Sequence, residues 1–204
     1  IPENIYALDD CGVKVLLFDD AFLPQVEAFR EKASALETYI YFGDNQAPDW
    51  ALSYENLIET NAPAVESARS DEDTVGIFYT GGTTGFPKGV EHSHTALWSS
   101  AMSSTNDVKI DRDSIYLHAA PMFHIADFVS SFVALIRGAT HVFIPMFDVA
   151  GTLKAIADHR VTNVMLVPAM IKMLLQHPGI DDADLSSLRA LSYGASPMPS
   201  EILK

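Results

Sequence analysis

The sequence contains one cysteine, few basic residues and no long hydrophobic run. Cys11 has no second cysteine with which to form a disulfide or a metal site, and a reducing cytoplasm is the simplest setting for such a chain. Lysine and arginine total 13 against 27 acidic residues, and the formal net charge of −14 argues against nucleic acid or an anionic membrane as partner. The longest apolar run, 132–136, stops at Arg137, far short of the roughly 20 residues that span a bilayer. We therefore expect a soluble cytoplasmic protein with no transmembrane segment and no nucleic-acid partner.

Hydrophobic periodicity predicts that strands and helices alternate along the chain. The first 60 residues contain a predicted strand, helix and strand at 13–18, 23–33 and 38–42, which form a βαβ opening. Further strands are predicted at 75–79, 115–120, 140–144, 163–167 and 189–193, and further helices at 95–104, 125–136, 149–158 and 168–176. Such repeated βα units predict an α/β fold of mostly parallel sheets covered by helices.

The segment 61–74, which contains Pro63 and an acidic run, is the predicted linker between a first part, residues 1–60, and a second part, residues 75–204. A solvated loop within one domain is an alternative of equal weight. The sequence leaves this choice open.

The most informative segment is a loop rich in glycine and threonine directly after an apolar strand. Residues 79–90 read YTGGTTGFPKGV and contain one cation, Lys88, and no carboxylate. Glycines allow φ > 0 and a close backbone approach, so that successive N–H groups can bind one anion, while hydroxyls and an ammonium add further donors. A surface turn between two strands is the alternative, but a turn would not need so many special residues. The predicted phosphate contacts are Thr80, Gly81, Gly82, Thr83, Thr84, Gly85 and Lys88.

Two commoner phosphate motifs do not fit this segment. A P-loop has Gly directly before its Lys and Ser or Thr directly after it, whereas Lys88 lies between Pro87 and Gly89. The dinucleotide pattern G-x-G-x-x-G also fails, because the glycines lie at 81, 82 and 85.

The segment resembles the phosphate-loop signature of the adenylate-forming enzymes, the superfamily of acyl-CoA synthetases, luciferases and peptide-synthetase adenylation domains. Their usual form has Ser at the position of Gly81, so one hydroxyl donor is absent here. Two further segments match the family in order. Residues 121–127, PMFHIAD, resemble its second core motif, and residues 192–199, SYGASPMP, resemble the start of its adenine-binding segment. Three ordered motifs extend the resemblance over nearly the whole chain.

The resemblance implies that a carboxylate attacks the α-phosphorus of ATP, that pyrophosphate leaves, and that the acyl group then passes to CoA. In related enzymes the residue matching His124 lies at the junction of the acyl and nucleotide sites. The alternative for His124 is a helix cap or a core residue bonded to Asp127. The spacing is His-x-x-Asp and differs from the His-x-x-x-Asp of another acyltransferase class, so His124 is not assigned as a general base.

The resemblance also implies that a short segment after the strand 189–193 lies against the adenine. Small residues there would let the backbone approach a flat base, and a plain strand-to-helix turn is the alternative. The implied adenine contacts are Gly194, Ala195, Ser196 and Pro197.

No metal site is predicted within the chain. His92 and His94 could share one strand face, but no third Cys, His or carboxylate lies at a suitable spacing. In the family, the Mg²⁺ ligand, the ribose-binding Asp and the C-terminal lobe with its catalytic Lys lie beyond the position of Lys204. We therefore expect this chain to be part of the N-terminal domain of a longer protein, and to be inactive by itself.

The opening, with Asp9-Asp10-Cys11-Gly12 before the first strand, resembles the fatty-acid–CoA ligases more than the peptide-synthetase branch. The expected substrates are a carboxylic acid, favoured to be a fatty acid, together with ATP and CoA. Two alternatives are an adenylation module that loads a carrier protein and a non-catalytic nucleotide-binding module. Acyl chain length, thiol acceptor and oligomeric state are left open, with a homodimer as one option.

Overall fold

A computed structural model of the chain describes residues 2–81, 86–105, 107–194 and 196–200. The chain divides between His94 and Thr95 into two compact units. The predicted linker at 61–74 lies within the first unit and has no helix or strand before Thr74. The predicted two-part organisation itself stays a prediction.

The first unit contains a small parallel sheet and an antiparallel hairpin. The sheet has the order β1, β2, β3, formed by Val15–Phe18, Thr38–Tyr41 and Leu52–Ser53. The helices are α1 (Pro2–Asp10), α2 (Leu23–Lys32) and α3 (Tyr54–Thr60), with a 3-10 turn at Asp20–Phe22. The hairpin pairs β4 (Thr74–Thr80) with β5 (Lys88–Ser93).

The core of the first unit lies between its parallel sheet and α2. Val26 and Phe29 of α2 are buried together with Phe18 and Tyr41 of the sheet. The ring of Trp50 stacks on Phe18 with centroids 5.4 Å apart. The apolar face of α2 therefore explains why the βαβ opening folds as its periodicity predicts.

The second unit is built on a four-stranded parallel sheet with the order β7, β6, β8, β9. These strands are β6 (Ile115–His118), β7 (Thr140–Phe143), β8 (Asn163–Leu166) and β9 (Ala190–Tyr193). Its helices are α4 (His94–Ser104), α5 (Ile125–Arg137), α6 (Val149–His159) and α7 (Pro168–Leu175). The central strands β6 and β8 are almost wholly buried, as strands covered on both faces should be. The predicted α/β architecture with mostly parallel sheets is confirmed.

One part of the sequence reading differs from the structure. The strand before the glycine-rich segment is not part of a parallel sheet, because β5 returns antiparallel beside β4. Apolar periodicity does not identify residues 88–93 as a strand, because they are mostly polar and lack an apolar face. His92 lies in β5 whereas His94 begins α4, so the two histidines do not share a strand face.

Among the described residues, no group of three His, Cys, Asp or Glu side chains could hold a metal ion. No helix within residues 2–81, 86–105, 107–194 and 196–200 has the length and apolar character needed to cross a membrane.

Candidate functional site

The hairpin register brings the two ends of the glycine-rich segment together. Thr80, the last residue of β4, pairs with Lys88, the first residue of β5, and the Thr80 Oγ1 lies 3.5 Å from the Lys88 carbonyl oxygen. The Lys88 side chain is exposed, and within the described part of the chain no carboxylate forms an ion pair with it. Its ammonium is thus available to a ligand, as an anion site requires.

Four of the predicted phosphate contacts, Gly82, Thr83, Thr84 and Gly85, lie outside the described residues. Their role stays a prediction. Gly81 is described, and a Cβ placed on it would meet no atom within 4 Å. The described protein atoms therefore leave open space beside Gly81, where a ligand could approach the backbone.

His124 lies at the N-terminus of α5 as its capping residue. Its backbone N–H donates to the Pro121 carbonyl at 2.9 Å, and its Nδ1 accepts from the Ala126 N–H at 3.4 Å. A neutral imidazole that accepts at Nδ1 carries its proton on Nε2. The exposed ring can therefore offer an Nε2–H donor to a ligand while it caps the helix.

The carboxylate of Asp127 does not bind His124, so the sequence alternative of a His124–Asp127 pair is wrong. Asp127 is fully buried, and its Oδ1 accepts from the Tyr116 hydroxyl at 2.8 Å. Its Oδ2 lies 2.8 Å from Nδ1 of His118, which donates to it. A buried carboxylate needs such partners, because without them desolvation would be too costly.

The network continues from His118 to the edge strand of the sheet. Nε2 of His118 lies 2.8 Å from Nδ1 of His141 on β7, and Phe143 stacks on the His118 ring at 4.5 Å. Burial, and then the nearby His118, lower the pKa of His141, whereas the charge of Asp127 acts in the opposite direction. Burial and then the charge of Asp127 raise the pKa of Tyr116 well above its usual range, so its hydroxyl remains a donor.

Sequence reasoning did not find this network. Tyr116 and His118 are two residues apart on β6 and therefore share a face, and an Asp early in an apolar helix is unusual. Together these signals could have indicated a buried polar pairing. The choice of His118 over His124 as the partner of Asp127 requires the packed structure.

An apolar cavity of about 340 Å³ lies in the second unit beside the start of α5. Its wall includes Ile125, which directly follows His124, and Tyr193, which directly precedes Gly194. The cavity therefore adjoins two of the segments that sequence analysis assigned to ligand binding. Apolar side chains from α5, β8 and the segment after α4 complete it, among them Val108, Val129, Val133 and Met165.

The segment after β9 is described at Gly194, Ser196 and Pro197, whereas Ala195 lies outside the described residues. A Cβ placed on Gly194 would meet only Met165 Cε, at 3.8 Å, which is ordinary contact. Packing among the described residues thus does not require glycine at this position. The adenine contacts of this segment stay predictions.

Comparison with known proteins agrees with the motifs. Residues 2–204 match the model of a family described as AMP-binding enzyme. The chain belongs to this family. It is 35% identical over 206 residues to indoleacetate–CoA ligase of Aromatoleum aromaticum and 33% identical over 211 residues to long-chain-fatty-acid–CoA ligase FadD13 of Mycobacterium tuberculosis. Both alignments cover 100% of this chain, but only 40% and 39% of the relatives, so the chain spans about two fifths of their length.

A solved structure of a related protein has the same fold as this chain. The inhibitor-bound N-terminal domain of FACL13 from Mycobacterium tuberculosis superimposes with a TM-score of 0.84 at 29% identity. The match covers 98% of this chain and 49% of that chain. The fold is therefore that of the N-terminal domain of adenylate-forming enzymes, as the resemblance implied.

Proposed function

We propose that the whole protein is an ATP-dependent acid–CoA ligase that acts on a carboxylic acid with an apolar body, a fatty acid being the favoured case. The observation that carries the proposal is the apolar cavity, whose wall includes Ile125, the residue after His124, and Tyr193, the residue before Gly194. An apolar wall with few polar groups at its edge is typical of sites for small molecules with an apolar body. Family membership supports the chemistry, since the two relatives named above are CoA ligases.

The proposed reaction has two steps. A carboxylate oxygen attacks the α-phosphorus of ATP, a P–O bond forms, and the bond to pyrophosphate breaks to leave an acyl-adenylate. The thiol of CoA then attacks the acyl carbonyl, loses its proton, and releases AMP. Backbone N–H groups, the threonine hydroxyls and Lys88 would stabilise the charge that develops on the β,γ-phosphates.

In this proposal His124 acts by donating from Nε2 to an oxygen of the acyl group, whereas its Nδ1 caps α5. Mg²⁺ accompanies ATP in such enzymes and would neutralise phosphate charge when bound. None of the described residues is assigned to it, because no cluster of three suitable side chains occurs among them. Its ligand is expected beyond Lys204.

Pyrophosphate exchange tests the proposal directly. The whole protein should exchange labelled pyrophosphate into ATP in the presence of medium- or long-chain fatty acids, and it should form thioester when CoA is added. Indoleacetate in the same panel tests whether the substrate is an aryl acid instead of a fatty acid. A short-chain acid tests whether a long apolar chain is needed. Thioester formation with a purified carrier protein but not with CoA would overturn the assignment of CoA. Absence of pyrophosphate exchange with every acid would overturn the ligase.

A further inference from the structure

Helix α1 contacts both flanks of the glycine-rich segment with one face. Tyr6 and Asp10 are four residues apart, so their side chains lie one above the other on the helix. The Tyr6 ring stacks on Phe86 with centroids 4.9 Å apart and an interplanar angle of 26°. The Tyr79 hydroxyl donates to Asp10 Oδ2 at 2.6 Å. Tyr79 and Phe86 stand on the two sides of residues 80–85, which include six of the seven predicted phosphate contacts.

The hairpin leaves room for this arrangement at Gly89. Gly89 pairs with Tyr79, and a Cβ placed on it would lie 2.9 Å from Ile77 Cγ2 and 3.1 Å from the Tyr79 ring. Glycine at this position therefore lets the Tyr79 ring lie close against β5. Partial burial, followed by the hydrogen bond to Asp10, raises the pKa of Tyr79, so that the hydroxyl stays protonated and can donate.

The contacts of Tyr6 and Asp10 hold the segment's flanks, including one residue that the backbone pairing of the hairpin does not reach. Backbone pairing ends at Thr80 and Lys88, and Phe86 lies outside it. A glycine-rich segment loses much conformational freedom when several of its N–H groups must face one anion. Contacts that order its flanks beforehand lower the entropic cost of binding and so increase affinity.

We propose that Tyr6 and Asp10 are positioning residues for the triphosphate of ATP, because they hold the two flanks of the glycine-rich segment. The proposal rests on the proposed function, in which that segment binds phosphate. Neither residue is expected to touch the nucleotide. Their loss should weaken ATP binding and leave the binding of the carboxylic acid unchanged.

The test measures pyrophosphate exchange by the whole protein at varied ATP and varied acid. Asp10→Ala and Tyr79→Phe should each raise the KM for ATP about three- to tenfold, the scale of one hydrogen bond. The acid KM should stay at its wild-type value. Because the two groups bind each other, the double variant should be little worse than either single variant. Tyr6→Ala should also raise the ATP KM, whereas Tyr6→Phe, which keeps the stacked ring and loses only the hydroxyl beside Asp10, should raise it less.

Asp9→Ala is the matched control on the same helix. Asp9 Oδ1 accepts from the Ser34 and Ala35 N–H groups at 2.7 and 2.9 Å, away from the glycine-rich segment. This variant should lower the melting temperature without changing the ATP KM. An equal rise of the ATP KM in Asp9→Ala and Asp10→Ala would show general loosening of α1 and would overturn the positioning role.

Lys88→Ala separates the two proposals. If it raises the ATP KM or slows exchange while Asp10→Ala and Tyr79→Phe behave as wild type, the positioning role is wrong and phosphate binding by the segment stands. If Lys88→Ala also behaves as wild type, phosphate binding by the segment is wrong, and the positioning role is wrong with it. Tyr79→Phe keeps the ring, so it still decides the matter if Asp10→Ala does not fold.

Discussion

The two flanks of the glycine-rich segment in the first unit and the first turn of α5 in the second unit are held by different kinds of contact. The flank residue Phe86 is 75% exposed although it stacks on Tyr6, and the hydrogen bond from Tyr79 to Asp10 is also exposed. Asp127, by contrast, is 0% exposed and bonds two side chains of β6. Water can replace a lost partner at the surface but not in the core. Substitutions at the flanks of the glycine-rich segment should therefore mainly affect ligand binding. Substitutions in the first turn of α5 should mainly affect stability.

Asp127→Ala has the largest expected effect, because it removes the acceptor of two buried donors, Tyr116 and His118. We expect the free energy of unfolding to fall by about 3–5 kcal/mol, the range for breaking a buried pair by removing one partner. Urea unfolding of the whole protein measures the change. Asp158→Ala is the control, since its partner Lys154 is exposed, and it should cost at most about 0.5 kcal/mol. Equal losses of unfolding free energy in the two variants would show that burial gives the contacts of Asp127 no added weight.

Lys88→Ala should have the next largest effect. This effect should be on the rate of pyrophosphate exchange and not on the free energy of unfolding. Loss of one charge-assisted contact to the leaving phosphates should slow pyrophosphate exchange by at least about tenfold. Unfolding should change little, because the side chain is exposed. Lys14→Ala in the same unit removes an exposed lysine that pairs with Glu37, and it should leave exchange unaltered. An unaffected exchange rate in Lys88→Ala would contradict the phosphate site.

His124→Ala should lower turnover about fivefold, the scale of one hydrogen bond of about 1 kcal/mol, while ATP affinity persists. His124→Asn separates the two roles of the residue, since asparagine is a good helix cap but lacks the imidazole. Full turnover in the asparagine variant would assign His124 to capping alone. Steady-state kinetics with varied ATP and a direct ATP-binding measurement provide the two readouts.

The smallest expected effect is a pH dependence from His141. Its pKa is lowered in the folded protein, so below its ordinary value of about 6.5 the unfolded chain binds the proton more readily. The contribution of His141 to the free energy of unfolding should therefore be fully present above about pH 6.5. It should decrease as the pH falls below that value toward the folded pKa. His141→Asn should flatten this decrease, as measured by melting temperatures between about pH 5 and 8. Parallel profiles for the variant and the wild type would contradict the contribution.

Local patterns were sufficient to predict most helices and strands of the second unit. Gly138 after the apolar run is an ordinary stop signal for α5, and it adopts a left-handed conformation with φ of 69°. The strand β8 is also predicted by its local sequence, because its residues are apolar apart from Asn163. All four of its residues are buried in the structure.

Elements without such patterns were missed. Helix α1 has no buried residue, and β3 is only two residues long. Strand β5 exposes most of its residues and exists because its backbone pairs with β4. A rule based on apolar periodicity cannot detect elements whose stability comes from pairing or from aromatic contacts at a distance in sequence.

The sequence by itself determined the order of the βα units, the presence of three motifs typical of the family, and thereby the family. These properties are local, since periodicity and motif spacing are written in neighbouring residues. Only the tertiary structure decided that the glycine-rich segment joins an antiparallel hairpin, that Tyr79 bonds Asp10 across 69 residues, and that Asp127 binds His118 instead of His124. Such pairings depend on which faces of separate elements meet, and that follows from packing the whole core and satisfying its buried polar groups at the same time.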